Sequence, residues 1–194
     1  MIVYEIDNNV YINLTNRCSN ACVFCVRTTS DEYEQFDLWL KKEPTVEEVL
    51  DELKKHDEGK EYVFCGYGEP LYRLDAIIEI GRWLKSKGKT VRLNTNGQAD
   101  LIVGPNVAER LVGAVDIVSV SLNEVTPEAY QKICVCEFGE EGYRSMLRFA
   151  EDCVKAGIRT KLSIVDILGE EKKRTAKKIA DEIGAELRVR ELIE

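Results

Sequence analysis

The stretch VYINLTNRCSNACVFC, residues 10–25, joins a short apolar run to a loop that carries three of the chain's seven cysteines. Residues 10–14 are rich in Val, Ile and Leu, and this composition predicts a buried β-strand. Cys18, Cys22 and Cys25 follow the strand with CxxxCxxC spacing. Three thiolates in one loop can bind three irons of a cubane cluster, and no fourth cysteine follows nearby. The sequence therefore predicts a [4Fe–4S] cluster whose fourth iron stays open to another ligand.

Two other interpretations of the cysteine loop remain open at this point. A structural zinc site prefers two CxxC-like pairs that close a tetrahedron around one ion. The three cysteines could also pack as small apolar side chains. The first residues lack the basic and apolar regions of a signal peptide, so we expect reduced thiols and not a disulfide framework.

Outward from this loop, apolar runs alternate with amphipathic stretches along the whole chain. Strands are predicted at residues 10–14, 62–65, 91–95, 117–121, 161–165 and 187–190. Helices are predicted at residues 45–56, 74–87, 142–156 and 170–183, with shorter ones after Pro105 and after Thr126-Pro127. Repeated strand–helix alternation predicts βαβ units and a parallel sheet.

The length of 194 residues suits one sizeable core and is short for two. We therefore expect a single α/β domain over residues 1–194, built as an incomplete (β/α)6 TIM-like barrel. A hydrophobic content of 44% with 32% charged residues is typical of globular proteins. The net charge of −8 disfavours broad nucleic-acid binding. No apolar run approaches the roughly 20 residues of a membrane-spanning helix, so we expect a cytoplasmic protein without membrane contact.

Polar segments close three further predicted strands. GYGEP, residues 66–70, follows the second strand; LNTNG, residues 93–97, closes the third; and SVSLN, residues 119–123, closes the fourth. The carboxyl ends of parallel strands meet at one edge of the sheet, where α/β barrels build their sites. The pattern therefore predicts that these segments and the cysteine loop form one site.

Together with the cysteine loop and the aromatic residue before its last cysteine, these segments resemble the radical S-adenosylmethionine (SAM) superfamily. The run FCGYGEPL, residues 64–71, and the compact length are most similar to the short TatD-associated radical SAM proteins. The resemblance implies that Cys18, Cys22 and Cys25 bind the cluster and that GYGEP binds the SAM amino group. The candidate cofactor-binding residues are Phe24, Gly66, Tyr67, Gly68, Glu69, Asn94, Ser121 and Asp166.

Simpler interpretations of these candidates stay open. GYGEP alone is also typical of a turn, with glycines for unusual backbone angles and proline to open the next segment. Asn94 and Ser121 could form capping or turn hydrogen bonds at strand ends, and Asp166 could be a solvated loop acid. Tyr67 stands where the wider superfamily usually has glycine, which crowds the expected pocket.

The resemblance implies reductive cleavage of SAM to methionine and a 5′-deoxyadenosyl radical, which abstracts hydrogen from a substrate. The expected partners are an electron donor such as flavodoxin or ferredoxin and a small-molecule or protein substrate. One alternative is an activating enzyme that generates a radical on a partner protein. Another, of a different class, is a non-catalytic iron–sulfur or zinc protein.

Several other residues have candidate roles. Cys134 and Cys136 could bind a second metal, although auxiliary clusters normally need three or four thiolates. Cys65 and Cys153 fit an apolar strand and an amphipathic helix. Arg188 and Arg190 alternate along the last strand, so both would project to one side and could bind an anionic substrate group. Arg17 and Arg27 flank the cysteine loop and are further candidates for that role.

Residues 28–43 form an insertion after the cysteine loop. It contains several large apolar side chains: Tyr33, Phe36, Leu38, Trp39 and Leu40. The insertion could cover the site or present an aromatic docking surface. Simple packing against the barrel is the other interpretation.

Overall fold

The computed structural model describes residues 1–29 and 36–190, and these form one seven-stranded sheet in sequence order. Tyr33 lies outside the described residues. The strands are β1 (Val3–Ile6), β2 (Asn9–Ile12), β3 (Tyr62–Phe64), β4 (Val91–Thr95), β5 (Ile117–Ser121), β6 (Arg159–Val165) and β7 (Glu186–Arg190).

The six expected strands are β2 to β7, and all five pairings among them are parallel. β4 and β5 have the expected bounds, and the others differ by one or two residues at an end. Within the described residues β1 and β7 are the two edges of the sheet. An open, sequentially ordered parallel sheet confirms the incomplete barrel.

The sequence-based expectation missed β1, which pairs antiparallel with β2 and places Tyr4 opposite Tyr11. The hairpin turns at Asp7 and Asn8, which have φ of 48° and 62°. Asp and Asn tolerate this left-handed region better than most residues, so the pair supports a tight primed turn. The turn signal was present in the sequence.

Helices connect the parallel strands. They are α1 (Val26–Thr29), α2 (Val46–Leu53), α3 (Leu74–Ser86), α4 (Ala99–Val103), α5 (Val107–Leu111), α6 (Pro127–Cys134), α7 (Glu140–Lys155) and α8 (Glu170–Ile183). Thr45 caps α2 in a capping box with Glu48. Gly184 follows the last residue of α8 and has the left-handed conformation of a C-cap.

Alternate strand residues divide the sheet into two faces. Val10, Leu93 and Val120 belong to the main core, which packs between the sheet and the helices. Tyr11 lies on the opposite, concave face, where a second cluster is built from Tyr4, Leu38 and Tyr67. The carboxyl ends of β2 to β5 open onto this concave face, and the candidate site lies there.

Among the described residues, no helix is both long enough and apolar enough to cross a membrane.

Candidate functional site

The cysteine loop begins at the carboxyl end of β2 and ends at α1. Cys18, Cys22 and Cys25 are reduced cysteines with partly exposed side chains. The amide of Cys25 donates a hydrogen bond to the carbonyl of Cys22 at 3.1 Å, which forms a tight turn. Phe24 lies in this turn and is half-buried.

The segment formed by residues 133–137 supports the cysteine loop from behind. The Ala21 amide donates to the Cys134 carbonyl at 3.0 Å, and the Val23 amide donates to the Ile133 carbonyl at 2.9 Å. Cys134 is buried, and its thiol is hydrogen-bonded to that of Cys22. The backbone contacts assign this segment a supporting role that its Cys-Val-Cys sequence did not reveal.

A buried polar network fixes the orientation of the same loop. The Ser19 hydroxyl donates to Gln98 Oε1 at 2.6 Å, and Gln98 Nε2 donates to Asn20 Oδ1 at 2.8 Å. Asn96 Nδ2 donates to the Ser19 hydroxyl at 2.8 Å, and the Tyr130 hydroxyl accepts from both Gln98 and Asn20. Buried polar groups that are fully paired in this way specify one arrangement. Gln98 is completely buried, and its role was not evident from the sequence.

Glu69, the acid of GYGEP, joins three parts of the site. Its carboxylate accepts hydrogen bonds from the Thr95 hydroxyl at 2.7 Å, the Asn96 amide at 2.7 Å and the Leu71 amide at 3.1 Å. Its own amide donates to the carbonyl of Arg17 at 2.7 Å. Burial raises the pKa of the carboxyl group to about 7, against the lowering effect of these donors. The Glu69 carboxylate is thus hydrogen-bonded to protein donors, and the residue joins GYGEP to the cysteine loop and to residues 95–96.

Gly66 and Gly68 allow GYGEP to approach the chain leaving β2. A Cβ on Gly66 would lie 2.0 Å from Asn13 Oδ1, and one on Gly68 would lie 2.3 Å from the Thr15 carbonyl and 2.6 Å from the Arg17 carbonyl. A side chain at position 66 would require Asn13 to move, and one at position 68 would require the backbone to move. Close packing of two loops therefore explains both glycines.

Tyr67 does not project into an open pocket. Its ring is buried and lies edge-on to Trp39, with 5.2 Å between the ring centroids. Asn13 Nδ2 donates to the Leu38 carbonyl at 2.7 Å, and Asn16 Nδ2 donates to the Leu40 carbonyl at 2.8 Å. These contacts favour packing for residues 36–40 of the insertion, although Trp39 remains 39% exposed.

The other predicted cofactor-binding residues lie in different settings. Asn94 is on the concave face beside the thiol of Cys65, and its Oδ1 is buried without a hydrogen-bond partner. Ser121 lies on the same face, paired in register with Ser163 of β6. Asp166 is exposed and forms a 2.5 Å ion pair with Lys173, so it is not gathered with the others.

The two arginines that flank the loop also have protein partners. Arg17 stacks on the ring of Tyr72, with 4.2 Å between the guanidinium carbon and the ring centroid. Arg27 donates from Nη1 to the carbonyls of Asn16 at 3.2 Å and Tyr67 at 3.3 Å. Arg27 therefore ties the loop to GYGEP.

Comparison with known proteins agrees with this geometry. The family model of the radical SAM superfamily matches residues 12–183, which includes the cysteine loop and all the strands from β3 to β6. The chain belongs to the radical SAM superfamily. Members of this superfamily are enzymes, and membership implies SAM and an iron–sulfur cluster as cofactors.

Three known proteins illustrate what this chain is similar to. A protein of Methanocaldococcus jannaschii that carries the provisional name of a glycyl-radical enzyme activating enzyme is 28% identical over 147 residues, 73% of this chain and 54% of that protein. SuiB from Streptococcus suis, solved with SAM bound, has a TM-score of 0.73 at 13% identity, over 95% of this chain and 40% of SuiB. The FeFe-hydrogenase maturase HydG from Carboxydothermus hydrogenoformans has a TM-score of 0.69 at 20% identity, over 95% and 44%.

The chain covers only part of each of these proteins. The chain spans only about half the length of the M. jannaschii relative and less than half of the two solved proteins. At such low sequence identity, the two solved structures establish the radical SAM fold and leave the reaction open.

Cys18, Cys22 and Cys25 offer three thiols from one loop, which is a donor set that an iron–sulfur cluster can take. Within the described residues, no three His, Cys, Asp or Glu side chains surround a common point closely enough to hold one metal ion. A tetrahedral zinc site needs its sulfur atoms about 2.3 Å from one ion, whereas a cubane takes one thiolate for each iron. Burial raises the pKa of the Cys18 thiol to about 12 and also raises that of Cys25. Metal coordination is the interaction that deprotonates such thiols.

Proposed function

We propose that Cys18, Cys22 and Cys25 bind a [4Fe–4S] cluster and that the chain uses it to cleave SAM reductively. The observation that carries this proposal is the grouping of the cysteine loop, GYGEP and residues 95–96 at the carboxyl ends of β2, β3 and β4, joined through Glu69. Bound together, the cluster and SAM supply cleavage of the S–C5′ bond to methionine and a 5′-deoxyadenosyl radical for hydrogen abstraction.

The protein's contribution is binding, orientation and exclusion of water. Glu69 acts as a positioning residue, because its carboxylate is fully engaged with Thr95, Asn96 and Leu71. The backbone of residues 66–68 is the proposed site for the SAM amino group, as in the family whose motif it resembles. Asn94 and Ser121 lie on the concave face. The Ser121 hydroxyl is proposed to contact the SAM carboxylate or ribose, and Asn94 Oδ1, which has an acceptor position free, is proposed to accept from a ribose hydroxyl.

Histidine acid–base catalysis has no place in this proposal. His56 is the chain's one histidine. It follows α2 and forms a hydrogen bond with Glu5 of β1 at 2.5 Å. Since α2 leads into β3, His56 lies near the amino end of that strand, opposite to the proposed site.

The electron that starts the reaction is proposed to come from a small redox protein such as flavodoxin or ferredoxin. The substrate is proposed to be a small molecule or a protein. The similarity to the M. jannaschii protein favours one second candidate, an activating enzyme that generates a radical on a partner protein.

Anaerobic reconstitution with iron and sulfide, followed by dithionite and SAM, tests the proposal. We expect 5′-deoxyadenosine and methionine to form in equal amounts. Cys22→Ala should abolish product and lower the iron content, whereas Cys153→Ala, which alters a buried cysteine in α7, should retain both. A fully reduced wild-type cluster that yields no 5′-deoxyadenosine would instead indicate a non-catalytic iron–sulfur protein. Native zinc in place of iron would refute the mechanism altogether.

The same assay separates the two substrate classes. A cell extract is divided by ultrafiltration into a protein fraction and a small-molecule fraction, and each is added to the reduced enzyme with SAM. A substrate accelerates 5′-deoxyadenosine formation above the basal rate. Acceleration by the protein fraction alone, together with a protein-bound radical signal, supports the activating enzyme; acceleration by the filtrate alone refutes it.

A further inference from the structure

The last strand of the sheet carries two arginines on its concave face. Leu187 packs against the main core on the helix side of the sheet. Because side chains alternate along a strand, Arg188 and Arg190 lie on the opposite face. Within the described residues β7 is an edge strand, so the two arginines lie on the open side of the incomplete barrel, with their Cα atoms roughly 7 Å apart along the strand.

These two arginines differ from the other basic residues of the concave face in lacking an acidic partner. Arg92 forms an ion pair with Glu61 at 3.0 Å, and Lys161 lies 3.8 Å from Glu186. For Arg188 and Arg190, no carboxylate of the described residues lies within salt-bridge distance. The concave face therefore retains two positive charges that the described part of the chain does not neutralise.

One hydrogen-bonding edge of Arg190 has only a single long contact among the described residues. Its Nε is buried and has no hydrogen-bond partner. Its Nη2 makes one long contact of 3.4 Å with Asn123 Oδ1. The Nε and Nη2 hydrogens form one side of the guanidinium fork, which matches the two oxygens of a carboxylate or phosphate.

The position of this guanidinium relates it to the proposed site. Arg190 is within electrostatic range of Cys65, which directly follows β3, and of Cys22 in the cysteine loop, across the concave face from β7. Arg188 is within range of Tyr11 on β2, which lies further from the carboxyl ends of the strands. Arg190 thus lies nearer the cysteine loop, and Arg188 lies deeper along the concave face.

We propose that Arg188 and Arg190 bind an anionic group, carboxylate or phosphate, of the hydrogen-donating substrate. The inference rests on the proposed SAM cleavage, which requires a substrate beside the cysteine loop. Arg190 supplies the bidentate contact, and Arg188, which is exposed at the open edge, supplies the second positive charge. The carboxylate of SAM has the same chemistry, so the test must separate the two sources.

Inorganic phosphate is the probe, titrated calorimetrically into the anaerobic, cluster-loaded protein with and without saturating SAM. We expect phosphate to bind, with an affinity that SAM changes less than about twofold. Arg190→Gln should weaken phosphate binding about tenfold or more, and Arg188→Gln by a smaller factor. Arg174→Gln, which removes an exposed arginine on α8, is the control and should have no effect.

Three results would overturn the inference. The first is wild-type protein that does not bind phosphate, and the second is equal binding by Arg190→Gln. The third is displacement of phosphate by SAM with weaker SAM binding in Arg190→Gln, which would assign the arginine to the SAM carboxylate. Arg190→Lys keeps the positive charge but lacks the guanidinium fork. We expect this variant to bind phosphate with an affinity between those of wild type and Arg190→Gln. An unchanged circular dichroism spectrum of the variants excludes misfolding as the cause of weaker binding. 5′-Deoxyadenosine formation by the same samples tests the proposed function separately.

Discussion

The hydroxyl of Thr95 donates a 2.7 Å hydrogen bond to the buried carboxylate of Glu69. This contact joins the GYGEP segment after β3 to the segment that closes β4. The second carboxylate oxygen accepts from the Asn96 amide, and Asn96 in turn donates to Ser19 of the cysteine loop. Three segments far apart in sequence thereby share one hydrogen-bonded network, and its integrity determines where the three thiols lie.

Replacement of this carboxylate provides the first prediction. In Glu69→Gln, one acceptor oxygen becomes an NH2 group that faces a backbone or hydroxyl donor. A buried donor left unpaired costs about 1–3 kcal/mol, so we expect the free energy of unfolding to fall by that amount. Urea unfolding of the reduced, cluster-free protein measures it. Glu58→Gln, in an exposed loop, should change the free energy by less than about 0.5 kcal/mol. Equal effects of the two substitutions would refute the assigned role.

The second prediction concerns pH. Burial raises the pKa of Glu69 to about 7 from an ordinary value of 4.5. The folded protein therefore holds this proton more tightly than the unfolded chain does. The resulting stabilisation is complete below about pH 4.5 and is lost as the pH rises through about 7.

Glu69→Gln has no carboxyl group to titrate at this position, so it is the control for the wild-type protein. We expect the gap in unfolding free energy between wild type and Glu69→Gln to narrow from about pH 5 to about pH 8. Urea unfolding at intervals across this range measures the gap. A gap that stays constant or widens would show that the carboxylate is ionised throughout.

Much of the fold could be predicted because it depends on local patterns. Apolar runs and glycine caps identified β2 to β7 and all four longer helices, and α8 has the expected bounds. The missed strand, β1, has only four residues, with glutamate among them. Its tight turn at Asp7-Asn8 was the available signal. Whether the chain is a single domain, and whether it is a TatD-associated protein, stay predictions.

The candidate site could also be predicted only in part from the sequence. Spacing placed the cysteine loop and GYGEP together, because the carboxyl ends of parallel strands share one edge. It did not reveal that Glu69 faces protein donors, since that depends on Thr95 and Asn96. The contact of Ser19 with Gln98 joins residues 79 positions apart, and no local pattern encodes it. Asp166 is a candidate cofactor-binding residue on strand position alone, and its pairing with Lys173 of α8 could not be foreseen.

The third prediction concerns Gly68, where an added Cβ would meet backbone atoms. A Cβ at position 68 would meet the carbonyls of Thr15 and Arg17, which cannot rotate away as a side chain would. We expect Gly68→Ala to displace the cysteine loop and to lower the iron bound after reconstitution by at least about half. Gly169→Ala, where a Cβ meets no atom within 4 Å, should retain wild-type iron content. Full iron content in Gly68→Ala would show that the two loops do not need this close approach.

The fourth prediction concerns the buried side-chain amide of Gln98, which is hydrogen-bonded to the cysteine loop. Gln98→Leu has a similar shape but leaves Asn20 and the Ser19 hydroxyl without their partner. We expect faster amide hydrogen exchange in residues 18–25, with a loss of stability of about 1–3 kcal/mol. Exchange in α8 of the same variant is the internal control and should stay at the wild-type rate, corrected for global stability. Unchanged exchange in residues 18–25 would remove Gln98 from the set of positioning residues.

The central claim is that three cysteines hold a [4Fe–4S] cluster with one iron open to SAM. Electron paramagnetic resonance of the dithionite-reduced protein, recorded before and after addition of SAM, tests it most directly. We expect a [4Fe–4S]⁺ signal in wild type whose shape and g values change when SAM binds, and no such signal in Cys22→Ala. A reduced cluster whose signal is identical with and without SAM would contradict it.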